Sequence, residues 1–185
     1  MIVTLLIMIA VVTSMIAINA LYVAGEFASV SARKTRIVQE AEQGNRLAKL
    51  LLPVIEDHHK LDNYIAASQV GITLSSIVLG IYGQQQIAPL LTPVLQNLPI
   101  IDSEVAAAGL SSLLVLIVLT GLQVVLGELV PKSLALLYPE GVALWTVLPM
   151  RWSAEYILRP LIILLNGSGG VLLRLIGAQH EASHK

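Results

Sequence analysis

The sequence predicts an all-α membrane protein with three transmembrane helices and amphipathic helices at the membrane surface. Three observations carry this. Of 185 residues, 56% are hydrophobic and only 12% charged, and mean hydropathy is +0.80; soluble domains average about 25% charged residues. Three apolar stretches approach the roughly 20 helical residues that cross a hydrocarbon core about 30 Å thick. Polar segments of mixed charge, with apolar residues at helical spacing, follow the first of them. The net charge of −1 gives no electrostatic footprint for nucleic acid. There is no Cys, which excludes disulfides and thiolate metal sites. His58, His59, His180 and His184 all lie in polar segments and read as solvated surface.

Residues 1–185 read as one domain. The first span covers about residues 2–25. Its apolar run exceeds the roughly 7–15 residues of a signal-peptide core and lacks a basic leader, so it is expected to be retained. Residues 33–60 follow, with Ile37, Ala41, Leu47, Leu50, Leu51, Val54 and Ile55 at near-helical spacing among charges. That pattern predicts amphipathic juxtamembrane helices. The second span covers about residues 64–82 and is interrupted by small and hydroxyl residues, which let helices approach closely in lipid. Pro89, Pro93 and Pro99 break up Ile87 to Ile101, predicting a short interfacial helix and a loop. Asp102 and Ser103 are candidate caps for the third span, about residues 105–130. Pro131 is expected to kink that helix rather than end it. Beyond it, residues 141–176 are expected to lie at the interface, where Trp145 and Trp152 fit an aromatic belt.

Topology follows from Lys and Arg. Six lie between spans one and two (Arg33, Lys34, Arg36, Arg46, Lys49 and Lys60), and none between spans two and three. Basic residues favour the cytoplasmic side. The amino terminus is therefore expected outside and the carboxyl terminus in the cytoplasm of a cell inner or plasma membrane.

The chemistry concentrates in Leu126-Gly127-Glu128-Leu129-Val130-Pro131-Lys132. A carboxylate at membrane depth is costly, about 2.5–3.5 kcal/mol on insertion scales. Pro131 has no amide hydrogen, so it cannot bond the Gly127 carbonyl four residues earlier. A carbonyl oxygen beside a carboxylate suits a hard cation. The blander alternative pairs Glu128 with Lys132 at a spacing of four. Thr73, Ser75 and Ser76 either bond back to their own helix or offer neutral oxygens to an ion. Glu26, with Ser29 and Ser31 nearby, either marks a helix boundary, pairs with Arg33, or makes the inner mouth of a cation path negative. No nucleophile stands with a base in the apolar part, so the chain is not expected to be an enzyme.

Several of these residues also resemble a known family. Tyr22-Val23-Ala24-Gly25-Glu26-Phe27-Ala28 with Arg33-Lys34-Thr35-Arg36, then Ala67 to Leu74 with Leu79-Gly80, then the Gly127-Glu128, Pro131-Lys132 signature, resemble the bacterial CorC and cyclin M (CNNM) membrane domain. Leu165-Asn166-Gly167 resembles a late turn of that family. The chain departs from many relatives at Gln123, where they have His, and at Val23 and Gly25, where they have Ser.

The resemblance implies a homodimeric magnesium transporter, often an exporter, with Na+ as coupling ion. It also implies a cytoplasmic pair of CBS modules that bind ATP. Nothing in these residues resembles such modules, so the chain is expected to be the membrane part of a longer protein. On this basis Glu128, Gly127, Ser75 and Ser76 are the expected metal ligands, with Glu26, Ser29, Thr73 and Pro131 behind them. Mg2+ is then the transported ion and lipid the surroundings. The competing expectation is a non-transporting anchor that dimerises a magnesium-sensing regulator, with Glu128 structural.

Overall fold

The computed structural model describes residues 2–99, 101 and 103–157. Among these there is no strand, and three helices are long and apolar enough to cross a membrane. Helix α1 spans Ile2–Ser31. Helices α2 (Lys34–Glu42) and α3 (Arg46–Glu56) form the polar segment. The second membrane helix combines α4 (His58–Tyr82), a π-helical turn (Gly83–Ile87) and α5 (Ala88–Gln96). The third combines α6 (Glu104–Leu122), a second π-helical stretch (Gln123–Leu129) and α7 (Val130–Leu137). Helix α8 (Pro139–Trp152) follows and ends in a third π-helical turn, Ser153–Ile157.

The element ends have local causes. Asn45 caps α3 by accepting from the Leu47 and Ala48 amides at 3.0 and 3.4 Å. The preceding Gly44 turns the chain with φ of +94°, a region L side chains rarely enter. Asp57 caps α4 through the His59 and Lys60 amides, so this helix begins before the apolar run does. Ser103 caps α6 through the Ala106 amide at 3.2 Å. Asp102, the other candidate cap, lies outside the described residues.

The stretch from Ile87 to Gln96 differs from the expected interfacial helix and loop. It continues the second membrane helix, with Pro89 in the first turn of α5 and Pro93 inside it. The π-helical turn just before has already broken the regular i→i+4 ladder, so the missing Pro89 amide costs little there. Pro131 sits the same way, at the start of α7 just after the second π-helical stretch. The third helix continues through it to Leu137. Of the expected interfacial segment 141–176, the part up to residue 157 is helical; the rest lies outside the described residues.

Helix α1 is central. It packs against α4 on one side and against α7 and the second π-helical stretch on another, while α5 packs along α6. Its carboxyl-terminal end is wrapped by a belt of α2, α3 and α8. Ala28, Ile37, Ala48, Leu51, Ala143 and Val147 are buried together there. Ion pairs fasten the belt: Arg33 to Glu140 at 3.6 Å and Lys34 to Glu56 at 3.3 Å. Such exposed pairs contribute at most about 1 kcal/mol each, so apolar packing holds the belt. Trp145, Leu148 and Trp152 leave one face of α8 exposed.

Close approach of α1 to α4 depends on Gly71. A Cβ there would lie 2.5 Å from the Tyr22 ring. Gly71→Ala is expected to displace that ring and destabilise the domain by about 1–3 kcal/mol, as overpacking does. Gly141→Ala, whose Cβ meets nothing within 4 Å among the described residues, is the control. It is expected to be neutral or stabilising by up to about 1 kcal/mol. Thermal unfolding of both variants in detergent checks the contrast.

Candidate cation site

All three membrane helices meet at one buried polar point. Asn19 of α1 donates from Nδ2 to the Gly127 carbonyl oxygen at 3.1 Å. Its Oδ1 accepts from the Ser75 hydroxyl of α4 at 2.8 Å. Asn19 is 1% exposed, so this side chain has no recourse to solvent. An unpaired amide there would carry its full desolvation cost, about 1–3 kcal/mol, which makes the bonds obligatory. Beside this node the Gln123 side chain donates to the Ser76 hydroxyl, a second link between α4 and the third membrane helix. Ser76 in turn donates to the Ile72 carbonyl at 2.7 Å.

The Gly127 carbonyl, expected to be left over by Pro131, is thus taken up by Asn19. Gly127 eases this closeness: a Cβ there would stand 3.0 Å from Asn19 Nδ2, so the amide would have to give by a few tenths of an ångström. It lies within a π-helical stretch, where i→i+5 bonding replaces i→i+4 bonding, a feature frequent at functional sites.

About two helical turns along α1 from Asn19 lies a cleft of about 540 Å³. Glu26, Phe27, Gln69, Thr73, Glu128 and Lys132 line it. The Glu128 carboxylate is half-buried and makes no hydrogen bond or ion pair among the described residues. The Glu128–Lys132 pair is not formed; the Lys132 ammonium instead lies 4.5 Å from the centre of the Phe27 ring. The alternative Glu26–Arg33 pair is absent too, because Arg33 reaches Glu140. Glu26 faces the cleft with Gln69.

The residues expected from sequence therefore divide. Ser75, Ser76 and Gly127 converge on the node; Glu26, Thr73 and Glu128 line the cleft beside it. Thr73 donates back to the Gln69 carbonyl at 2.8 Å. Ser29 is buried and donates to the Glu26 carbonyl at 2.9 Å, apart from the cleft lining. Pro131 is buried on α7. Sequence reasoning missed Asn19, Gln69 and Gln123. Asn19 had a readable signal: it is the one carboxamide in the first apolar run, and such a group needs a partner in lipid. Among the described residues no three His, Asp or Glu side chains converge. The chemistry on offer is a carboxylate with neutral amide, carbonyl and hydroxyl oxygens, a set for hard cations rather than for zinc or copper.

A polytopic helical membrane domain with a polar intersection of its three spans is the class these features define. The profile of the cyclin M transmembrane N-terminal domain matches residues 3–185. The chain belongs to that family, CNNM. It is 40% identical over 174 residues to the UPF0053 protein YhdT of Bacillus subtilis, covering 92% of this chain and 36% of that protein. It is similar to the UPF0053 protein sll0260 of Synechocystis, 37% identical over 170 residues, 91% of this chain and 37% of the relative. The protein Rv1841c of Mycobacterium tuberculosis is 38% identical over 165 residues, 89% of this chain and 45% of its own length. The chain thus spans less than half the length of these relatives.

If the node couples the spans, Asn19→Ala is expected to destabilise the domain by about 0.6–2 kcal/mol, the range of interhelical hydrogen bonds in membranes. Ser75→Ala added to it is expected to cost less than it does alone. A double-mutant cycle of thermal unfolding in detergent reads that non-additivity.

Proposed function

We propose that this domain transports Mg2+ across the membrane, outward from the cell, with Na+ as the coupling ion. One observation carries the reading: Glu128, a half-buried carboxylate that has no partner among the described residues, lines a cleft and directly follows Gly127, whose carbonyl belongs to the node of neutral groups from all three spans. Membership of the CNNM family supports it. Glu128 supplies the charged oxygen. The Gly127 carbonyl, the Ser75 or Ser76 hydroxyl and Asn19 Oδ1 supply neutral ones. Mg2+ takes about six oxygens and sheds water reluctantly, so water fills the remaining positions. A single carboxylate among neutral donors suits transport, since the ion must leave as well as enter. Alternating exposure of the site moves the ion, and Na+ relieves the charge on Glu128 on the return.

The domain works as a homodimer in the plasma membrane, with its amino terminus outside and its carboxyl terminus in the cytoplasm. Gly80, Gly109 and Gly121 support an interface on spans two and three: among the described residues a Cβ at each would meet nothing within 4 Å. ATP acts only through further cytoplasmic parts. The anchor reading needs Glu128 as the structural partner of Lys132, and the position of Lys132 over Phe27 counts against it.

The test is a Mg2+ titration of the purified chain, wild type against Glu128→Gln, following thermal stability. A ligand that binds only the folded state at 100 times its Kd adds about 2.7 kcal/mol. The wild type is expected to rise with Mg2+ and Glu128→Gln to stay flat with its fold retained. An equal rise in both would remove Glu128 from the site.

A further inference from the structure

The cleft holds three charges, the carboxylates of Glu26 and Glu128 and the ammonium of Lys132. Opposite charges that line one cleft attract where water is partly excluded. Lys132 stands four residues after Glu128 on the same helix and has a flexible four-carbon stem. Yet among the described residues Lys132 pairs with neither acid. Its Nζ lies 4.5 Å from the centre of the Phe27 ring, facing its π-electrons. Phe27 is the only phenylalanine in the chain. It is half-buried and packs against the belt cluster of Ala28, Ile37 and Leu51, which fixes its ring at the cleft edge.

Resting on that reading of the cleft as a cation site, we propose that Lys132 is a tethered competitor for the cation and that Phe27 holds it aside. The ring gives the ammonium a resting place whose worth is comparable to that of a partly exposed ion pair. Neither arrangement dominates, so the ring decides which one the lysine takes. With Lys132 on Phe27, Glu128 faces an arriving divalent ion alone. With Lys132 swung onto Glu128, the carboxylate is neutralised and the ion loses its charged ligand. The lysine can also follow a departing ion and cover the carboxylate behind it, which lowers the cost of leaving a charge bare at membrane depth.

The test is a cycle of Mg2+ titrations on wild type, Phe27→Leu, Lys132→Gln and the double variant. Phe27→Leu is expected to lower Mg2+ affinity about two- to fivefold, which is the worth of an exposed cation–π contact. In the Lys132→Gln background the same change is expected to have no effect, and Lys132→Gln alone is expected not to weaken binding. Phe27→Tyr keeps the ring and is expected to bind as wild type does. A magnetic-resonance signal from the Lys132 ε-methylene gives a metal-independent readout: ring current shifts it upfield in wild type and not in Phe27→Leu. An equal loss of affinity from Phe27→Leu in both backgrounds overturns the competitor role, as does weakened binding in Lys132→Gln. Absence of Mg2+ binding in every variant, with the ring-current shift intact, overturns instead the reading of the cleft as a Mg2+ site, on which the role rests.

Discussion

One carboxamide joins the three spans. Asn19 uses its two ends on two different helices, giving a hydrogen to the Gly127 carbonyl and taking one from Ser75. In lipid the packing of apolar side chains supplies no hydrophobic drive between helices, so position along the helix axis is set by shape and by polar bonds. Shape comes from close approaches such as Tyr22 on Gly71, and the polar register comes from Asn19. A slide of α1 by one residue past α4 or the third membrane helix would strand its amide. The cleft inherits its geometry from that register, because Glu26 and Phe27 are placed against Glu128 and Lys132 by the same helix that carries Asn19.

The two π-helical segments within the membrane helices serve this arrangement in different ways. Gly83–Ile87 lets the second helix run on through proline-bearing sequence, so that α5 packs along α6. Gln123–Leu129 carries Gln123 and Gly127 inward in the same stretch. A regular α-helix gives every interior carbonyl to its own chain four residues on. Widening the turn ahead of a proline changes that assignment, and a side chain from another helix takes the bond. The belt of α2, α3 and α8 then grips α1 below this level, where its ion pairs are exposed and its core is alanine, valine, leucine and isoleucine.

Much of this was legible in the residues. Apolar length gave three spans, and the spacing of Ile37, Ala41 and Leu51 marked the belt helices. The Gly127, Glu128, Pro131 cluster pointed to the third span as the place of interest, because each of those residues is costly in lipid without a reason. Asn19 was not recovered. Its surroundings are uniformly apolar, and a polar side chain there says that a partner exists without saying on which helix. The same holds for Gln123 and Ser76, which find each other across a separation that no local pattern encodes. The continuation of the second helix through Pro89 was also hidden, since a proline reads as a stop unless the preceding turn is already widened.

Helix α8 has a further consequence. The chain contains two tryptophans, Trp145 and Trp152, and both stand on the exposed face of this one helix. Tryptophan emission of this chain, excited to the red of tyrosine absorption, is therefore a report from the belt alone, with no direct view of Asn19 or Glu128. A change in that emission on adding an ion records motion or altered solvation of α8, which packs against α1, α3, α4 and α7. The molecule thus carries its own remote indicator, one that separates ligand contact from the movement that contact causes.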